Sequence, residues 1–160
     1  MVNKPSRETL PMESNSSYQR LFTVNEANEL LPTVRPLVEQ ILENIRRLKY
    51  ASETVIRREQ LDPEAPNLME RLREDGEVAR LVGQVKEWVE TINGHGCVCK
   101  GVEQGLIDFP CVFGSEVVFL CWQLGESTVS FWHRIEDGFA GRKPLLEGGE
   151  AEPDDGASYH

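Results

Sequence analysis

The chain is poor in the side chains that usually mark a reaction. Its 160 residues include only three histidines, four cysteines and three tryptophans. No Ser-His-Asp order, phosphate-cradling loop, HExxH or dinucleotide fingerprint is present. No uninterrupted apolar run approaches the roughly 18 residues that a membrane span requires. The opening segment "MVNKPSRETLPMESNSSYQR" lacks the apolar stretch of a secretory signal. A soluble cytoplasmic protein with no membrane contact is therefore expected. Cys97, Cys99, Cys111 and Cys121 are too few and too clustered for a disulfide framework in a chain of this size, so reduced thiols are expected. Basic charge is also short. The formal net charge is -10, and residues 21–146 hold 14 Lys or Arg against 20 Asp or Glu. A nucleic-acid binder normally carries a basic stripe, so nucleic acid is excluded as an expected partner.

The two ends differ from the middle. Residues 1–20 are polar, and residues 147–160, "EGGEAEPDDGASYH", are acidic and nearly free of large apolar groups. Neither composition can offset the entropy lost on ordering, so both read as disordered tails around a single domain at 21–146. Within it, "TVNE" sets Thr23 as a helix N-cap with Glu26 three residues on, and Phe22 precedes it in staple position. Pro32 and Pro36 each lack an amide donor and crowd the preceding turn, which predicts a short helix, a kink and then a long helix. Val34, Leu37, Val38, Ile41, Leu42, Ile45 and Leu48 recur at helical spacing along the long one. "LDPEAPN" breaks the pattern. Val78, Leu81, Val82, Val85, Trp88, Val89 and Ile92 then form a second stripe, so residues 21–95 read as an antiparallel helical hairpin.

After Gly96 the period changes. "CVCKGV", "GLIDFPCVF", "EVVFLCWQ" and "TVSFWHRI" are short, rich in β-branched and aromatic residues, and separated by turn residues. With the loop "GFAGRKPL" they make residues 96–146 a four-stranded antiparallel meander packed on the hairpin, an α+β fold. Both faces of "EVVFLCWQ" are apolar, which predicts a central strand with a covering layer on each side. The helices supply one layer, and the loop or a second subunit is expected to supply the other.

The candidate chemistry gathers in the same half. On a strand, His133 shares a face with Val129 and Phe131 near the strand end. There it is placed to act as a general base or ligand with Asp108 or Glu126, or simply to hydrogen-bond a loop carbonyl. Arg142, between the glycines of "GFAG" and a proline, presents a planar fork for a carboxylate or phosphate, or pairs with one of those acids. Phe139 is placed beside a ligand or as a plug over the sheet. Trp122 and Trp132 either line a cleft that stacks a planar ligand or pack across adjacent strands. "HGCVC" would put His95, Cys97 and Cys99 on one face of an extended strand. It lacks the second close ligand pair of a structural zinc site, so no metal and no cofactor is expected.

Three stretches, "LFTVNEANELLPTVRPLV", "GLIDFP" and "LCWQLGESTVSFWHRIEDGFAGRKPL", together resemble an uncharacterised prokaryotic family known only as a domain of unknown function. The resemblance runs in order over about residues 21–145. It implies small cytoplasmic proteins with a helical first half and an aromatic second half, names no reaction, and does not extend to "CVC". It lends weight to Asp108, Phe109, Pro110, Trp122, Gly125, Glu126, Trp132, His133, Gly138, Phe139, Gly141 and Arg142.

Two functions follow as expectations. One is a non-enzymatic binding and assembly module, its coiled-coil-like hairpin pairing with a second copy or a helical protein. In it, Arg142 and His133, with Trp122, Trp132 and Phe139, receive a small anionic or acidic ligand. The other is a small hydrolase or isomerase with His133 as general base, Asp108 or Glu126 as its partner and Arg142 stabilising negative charge.

Overall fold

Thr23 begins the helical half. In the computed structural model of the chain, which describes residues 18–145, the Thr23 hydroxyl accepts the Glu26 amide. The Glu26 carboxylate in turn accepts the Thr23 amide, both at 3.0 Å. This reciprocal cap satisfies amides that the first turn leaves without partners. Helix α1 then runs unbroken over Val24–Glu59. The expected division into a short and a long helix at Pro32 and Pro36 is not seen. Both prolines are exposed and four residues apart, so they share the solvent side of α1. The carbonyls they leave unbonded face water, while Leu31, Val34, Val38 and Ile41 are buried on the opposite side.

A short helix α2, Leu68–Leu72, and a third, α3, Gly76–Gly94, follow. Asp75 caps α3 by accepting the Glu77 and Val78 amides at 3.0 and 3.1 Å. Arg58 near the end of α1 meets Asp75 at the start of α3. Further along, the buried Asn44 donates to Gln84 at 2.8 Å. The two long helices therefore run antiparallel, with α2 as an addition to the expected hairpin. That addition matters. Val55, Leu72 and Val78 form a second apolar cluster with Leu48, Ala51, Ile56, Leu61, Leu68 and Val82, so the stripes that extend past the sheet are covered within the chain.

The sheet is a five-stranded antiparallel meander in sequence order, not the expected four-stranded one. Its strands are β1 Val98–Gly101, β2 Leu106–Phe113, β3 Glu116–Gln123, β4 Phe131–Arg134 and β5 Lys143–Pro144. The fifth arises inside "GFAGRKPL", where Phe131 and Trp132 pair with Pro144 and Lys143. Proline is tolerated there because this is an edge. β4 starts later than its composition suggests, since the Val129 amide is taken by the Asn28 side chain of α1 at 2.8 Å.

Register sorts the sheet into two faces. Phe109 opposes Leu120, Ile107 opposes Trp122 and Leu120 opposes Trp132. These residues, with Cys111 and Val118, join Leu31, Val34, Val38, Ile41 and Ile92 in the main core. The alternate residues, Asp108, Phe119, Cys121, Phe131 and His133, point away from the helices. The N-terminal segment helps to cover them, with the Tyr18 ring edge-on to Phe119 at 5.7 Å. The expected disordered tails lie outside the described residues, apart from residues 18–20, whose contacts include that ring and Arg20 over Phe22. Among the described residues no helix is long and apolar enough to cross a membrane.

Because α1 continues through prolines on its solvent side, Pro36→Ala restores an amide donor without removing a core contact. Urea unfolding should show the variant more stable by up to about 3 kcal/mol. A loss of stability would mean that the proline ring is itself needed there.

Candidate functional site

Two ion pairs sit side by side on the sheet face away from the helices. The first joins β2 to β4. Asp108 and His133 are each 2% exposed, and Nε2 of His133 lies 3.2 Å from Asp108 Oδ2. The other ring nitrogen, Nδ1, is 2.8 Å from the Arg134 carbonyl, which can only accept, so Nδ1 carries a proton. Nε2 faces a carboxylate at close range, off the line of a good hydrogen bond. Two facing lone pairs would repel, which favours the protonated form of the imidazole. Burial pulls the His133 pKa down, but Asp108 and the Arg134 carbonyl together outweigh it and leave it raised.

The second pair closes the turn after β3. One guanidinium nitrogen of Arg142, Nη2, lies 2.9 and 2.8 Å from the two carboxylate oxygens of Glu126, and 3.5 Å from the Cys121 carbonyl. Glu126 organises this corner. Its carboxylate also accepts the Gln123 amide at 2.9 Å, and its carbonyl accepts the Trp122 indole N–H at 2.8 Å. Gly125 precedes it with φ 108°, a value that side chains with a Cβ rarely adopt. The Arg142 guanidinium lies 4.0 Å from the Phe131 ring centroid and 4.7 Å from that of Phe139. Phe131 shares the His133 face, so the two ion pairs belong to one patch.

Cys121 lies between them. Its sulfur, an Asp108 oxygen and a His133 ring nitrogen are all within 4.8 Å of one another, and all three residues are buried. Burial pushes the Cys121 thiol up to about 12, with Asp108 adding to the rise and Arg142 opposing it. It therefore stays protonated at neutral pH.

The expected residues are thus brought together selectively. Asp108 partners His133, whereas Glu126 partners Arg142. Trp122 and Trp132, at 0% and 2% exposure, are in the core and present no open face for a stacked ligand. Phe139 is 41% exposed, so it covers Arg142 without plugging the sheet. The "HGCVC" residues do not gather. His95 ends α3, the Cys97 thiol donates to the Ile92 carbonyl, and β1 starts only at Val98. Cys121 and Phe131 carry no local sequence signal of a site role. Their strand parity with Phe119 and His133 was visible, but the register that makes them neighbours was not.

The chain matches the sequence pattern of an uncharacterized conserved protein family, DUF2203, over residues 20–145. No curated protein and no solved structure matches it.

The raised His133 pKa means that the native state holds this proton more tightly than the unfolded chain. The stability gained is complete below pH 6.5 and fades as pH rises through the folded value. In an NMR titration His133 should ionise above 6.5 in the wild type. In Asp108→Asn it should fall below that value, because burial is then less opposed. An unchanged midpoint in the variant would show that Asp108 does not hold the proton.

Proposed function

The chain belongs to the DUF2203 family, whose description names no reaction, and on the geometry above we propose a non-enzymatic binding module that captures a small acid-bearing ligand at Arg142. The observation that carries this reading is the guanidinium cradle. Arg142 is held between Phe131 and Phe139, braced by Glu126, and its buried Nε has no hydrogen-bond partner. A planar cation fixed this way loses little freedom on meeting a carboxylate or phosphate. Its side chain is 14% exposed and that of Glu126 is 25% exposed, so the pair is reached from solvent. Glu126 holds Nη2 of the guanidinium as the ligand's internal competitor.

The geometry favours binding over general-base catalysis. A base needs a ring nitrogen within reach of a substrate, and both nitrogens of His133 are turned to protein oxygens at 2% exposure. The assembly half of the proposal rests on a groove of about 510 Å³ at the distal end of the helices, lined by Arg46, Arg47, Tyr50, Thr54, Arg58 and Asp75 among others. Tyr50 is 71% exposed on its wall. A second copy docking there would cover that ring.

Acetate, succinate and inorganic phosphate are suitable probes. Amide shifts in ¹H–¹⁵N spectra should cluster at Cys121, Glu126, Phe139 and Arg142. Glu126→Gln should bind severalfold more tightly by removing the competitor, and Arg142→Lys should bind more weakly. Shifts scattered over the surface, or an unaffected Arg142→Lys, would remove the reading.

For assembly, sedimentation velocity should show a concentration-dependent dimer that Tyr50→Glu dissociates. A wild-type monomer throughout would remove that half alone.

A further inference from the structure

The thiol of Cys121 is used by neither ion pair, yet it is buried against one of them. We propose that Asp108, Cys121 and His133 form a site for one divalent transition ion of the zinc type, which enters in exchange for two protons. The inference stands apart from acid capture at Arg142, since it uses a different donor set and takes a cation.

Three observations carry it. The first is spacing. Bonds of about 2.0–2.3 Å in a tetrahedral site put ligand atoms about 3.3–3.8 Å apart. The Asp108 and His133 atoms are already at 3.2 Å, and no pair in the cluster exceeds 4.8 Å. Closing on an ion needs side-chain shifts of only about 1 Å.

The second is the imidazole. Nδ1 donates to the Arg134 carbonyl at 2.8 Å, the outer bond that commonly orients a metal-ligating histidine. Nε2 is buried and aimed into the cluster, 3.2 Å from the Asp108 carboxylate but off the line of a good hydrogen bond.

The third is charge. When the His133 imidazole is protonated and the Cys121 sulfur holds its proton, the cluster with its carboxylate is neutral. A divalent ion bound by a carboxylate, a thiolate and a neutral imidazole is neutral too. One ion in and two protons out leaves the buried charge unchanged, which avoids the large cost of burying a net charge. The neighbouring charges are Lys100 from β1 and the Glu126–Arg142 pair. Oxygen, nitrogen and sulfur donors together suit zinc, and three protein ligands leave a fourth position for water or an exogenous group.

Close packing alone would account for the burial of the three residues, but it gives no reason for three different donor atoms to converge or for an Nε2 poorly aligned with its carboxylate. The test uses the full chain, freed of metal with a chelator and titrated with Co²⁺ and then Zn²⁺. One Co²⁺ per chain should bind with a thiolate-to-cobalt absorption band, release two protons, and be displaced by Zn²⁺. Cys121→Ser should lose the band, and the double variant Cys97→Ser, Cys99→Ser should keep it. His133→Gln and Asp108→Asn should weaken binding by at least the roughly 10–100-fold that loss of an outer partner costs. Folded wild-type protein that takes up no stoichiometric Co²⁺ would overturn the proposal without reference to any variant. So would a band that survives in Cys121→Ser. Acid titrations at Arg142 in the same chelated protein fail or succeed independently.

Discussion

Strand pairing sets Asp108 opposite Cys121, and Phe119 opposite His133. Because side chains alternate along a strand, that register places four of the least interchangeable residues of the chain on one face of the sheet and Ile107, Phe109, Leu120, Trp122 and Trp132 on the other. A slip of one residue in β3 would drive Cys121 and Phe119 into the helical core and expose Leu120 and Trp122. Burial on the helical side is therefore what fixes the geometry on the far side. The helices touch the site only at its corner, where Arg35 of α1 donates to the Glu126 and Ser127 carbonyls at 3.4 Å, and act mainly by making every other register costly.

The electrostatics of the far face follow from that sorting. Asp108 and His133 are sealed to 2% exposure, where an isolated charge is prohibitive and a matched pair is tolerated. Glu126 and Arg142 remain partly open, so solvent weakens their attraction. The two pairs look alike in sequence, an acid and a base in each, but burial gives them different chemistry. One holds a proton in a closed space. The other holds a guanidinium at the surface between two rings.

Local signals in the sequence were strong where they needed no distant partner. The Thr23–Glu26 box, the helical stripes of α1 and α3, and the change of period after Gly96 all rest on contacts within a turn or along one strand. The prolines misled because their effect depends on which side of the helix they occupy. Pro32 and Pro36 face water, and the buried opposite side keeps α1 continuous. The fifth strand was hidden because Lys143 and Pro144 have poor strand propensity and pair only because β4 offers them an edge. Similarly, α2 is five residues long and exists by packing Leu72 and Leu68 over the distal helices, not by intrinsic helical strength.

The sequence by itself determined a capped helical half, an antiparallel sheet of alternating apolar strands, and membership of one side-chain set by His133, Phe131, Phe119 and Cys121 on their separate strands. Only the tertiary structure decided which acid meets which base. That choice turns on hydrogen-bond register between strands and on a turn anchored by Gly125 and Glu126. Both are long-range constraints set by the packing of one sheet face against the helices, and no local pattern of residues encodes them.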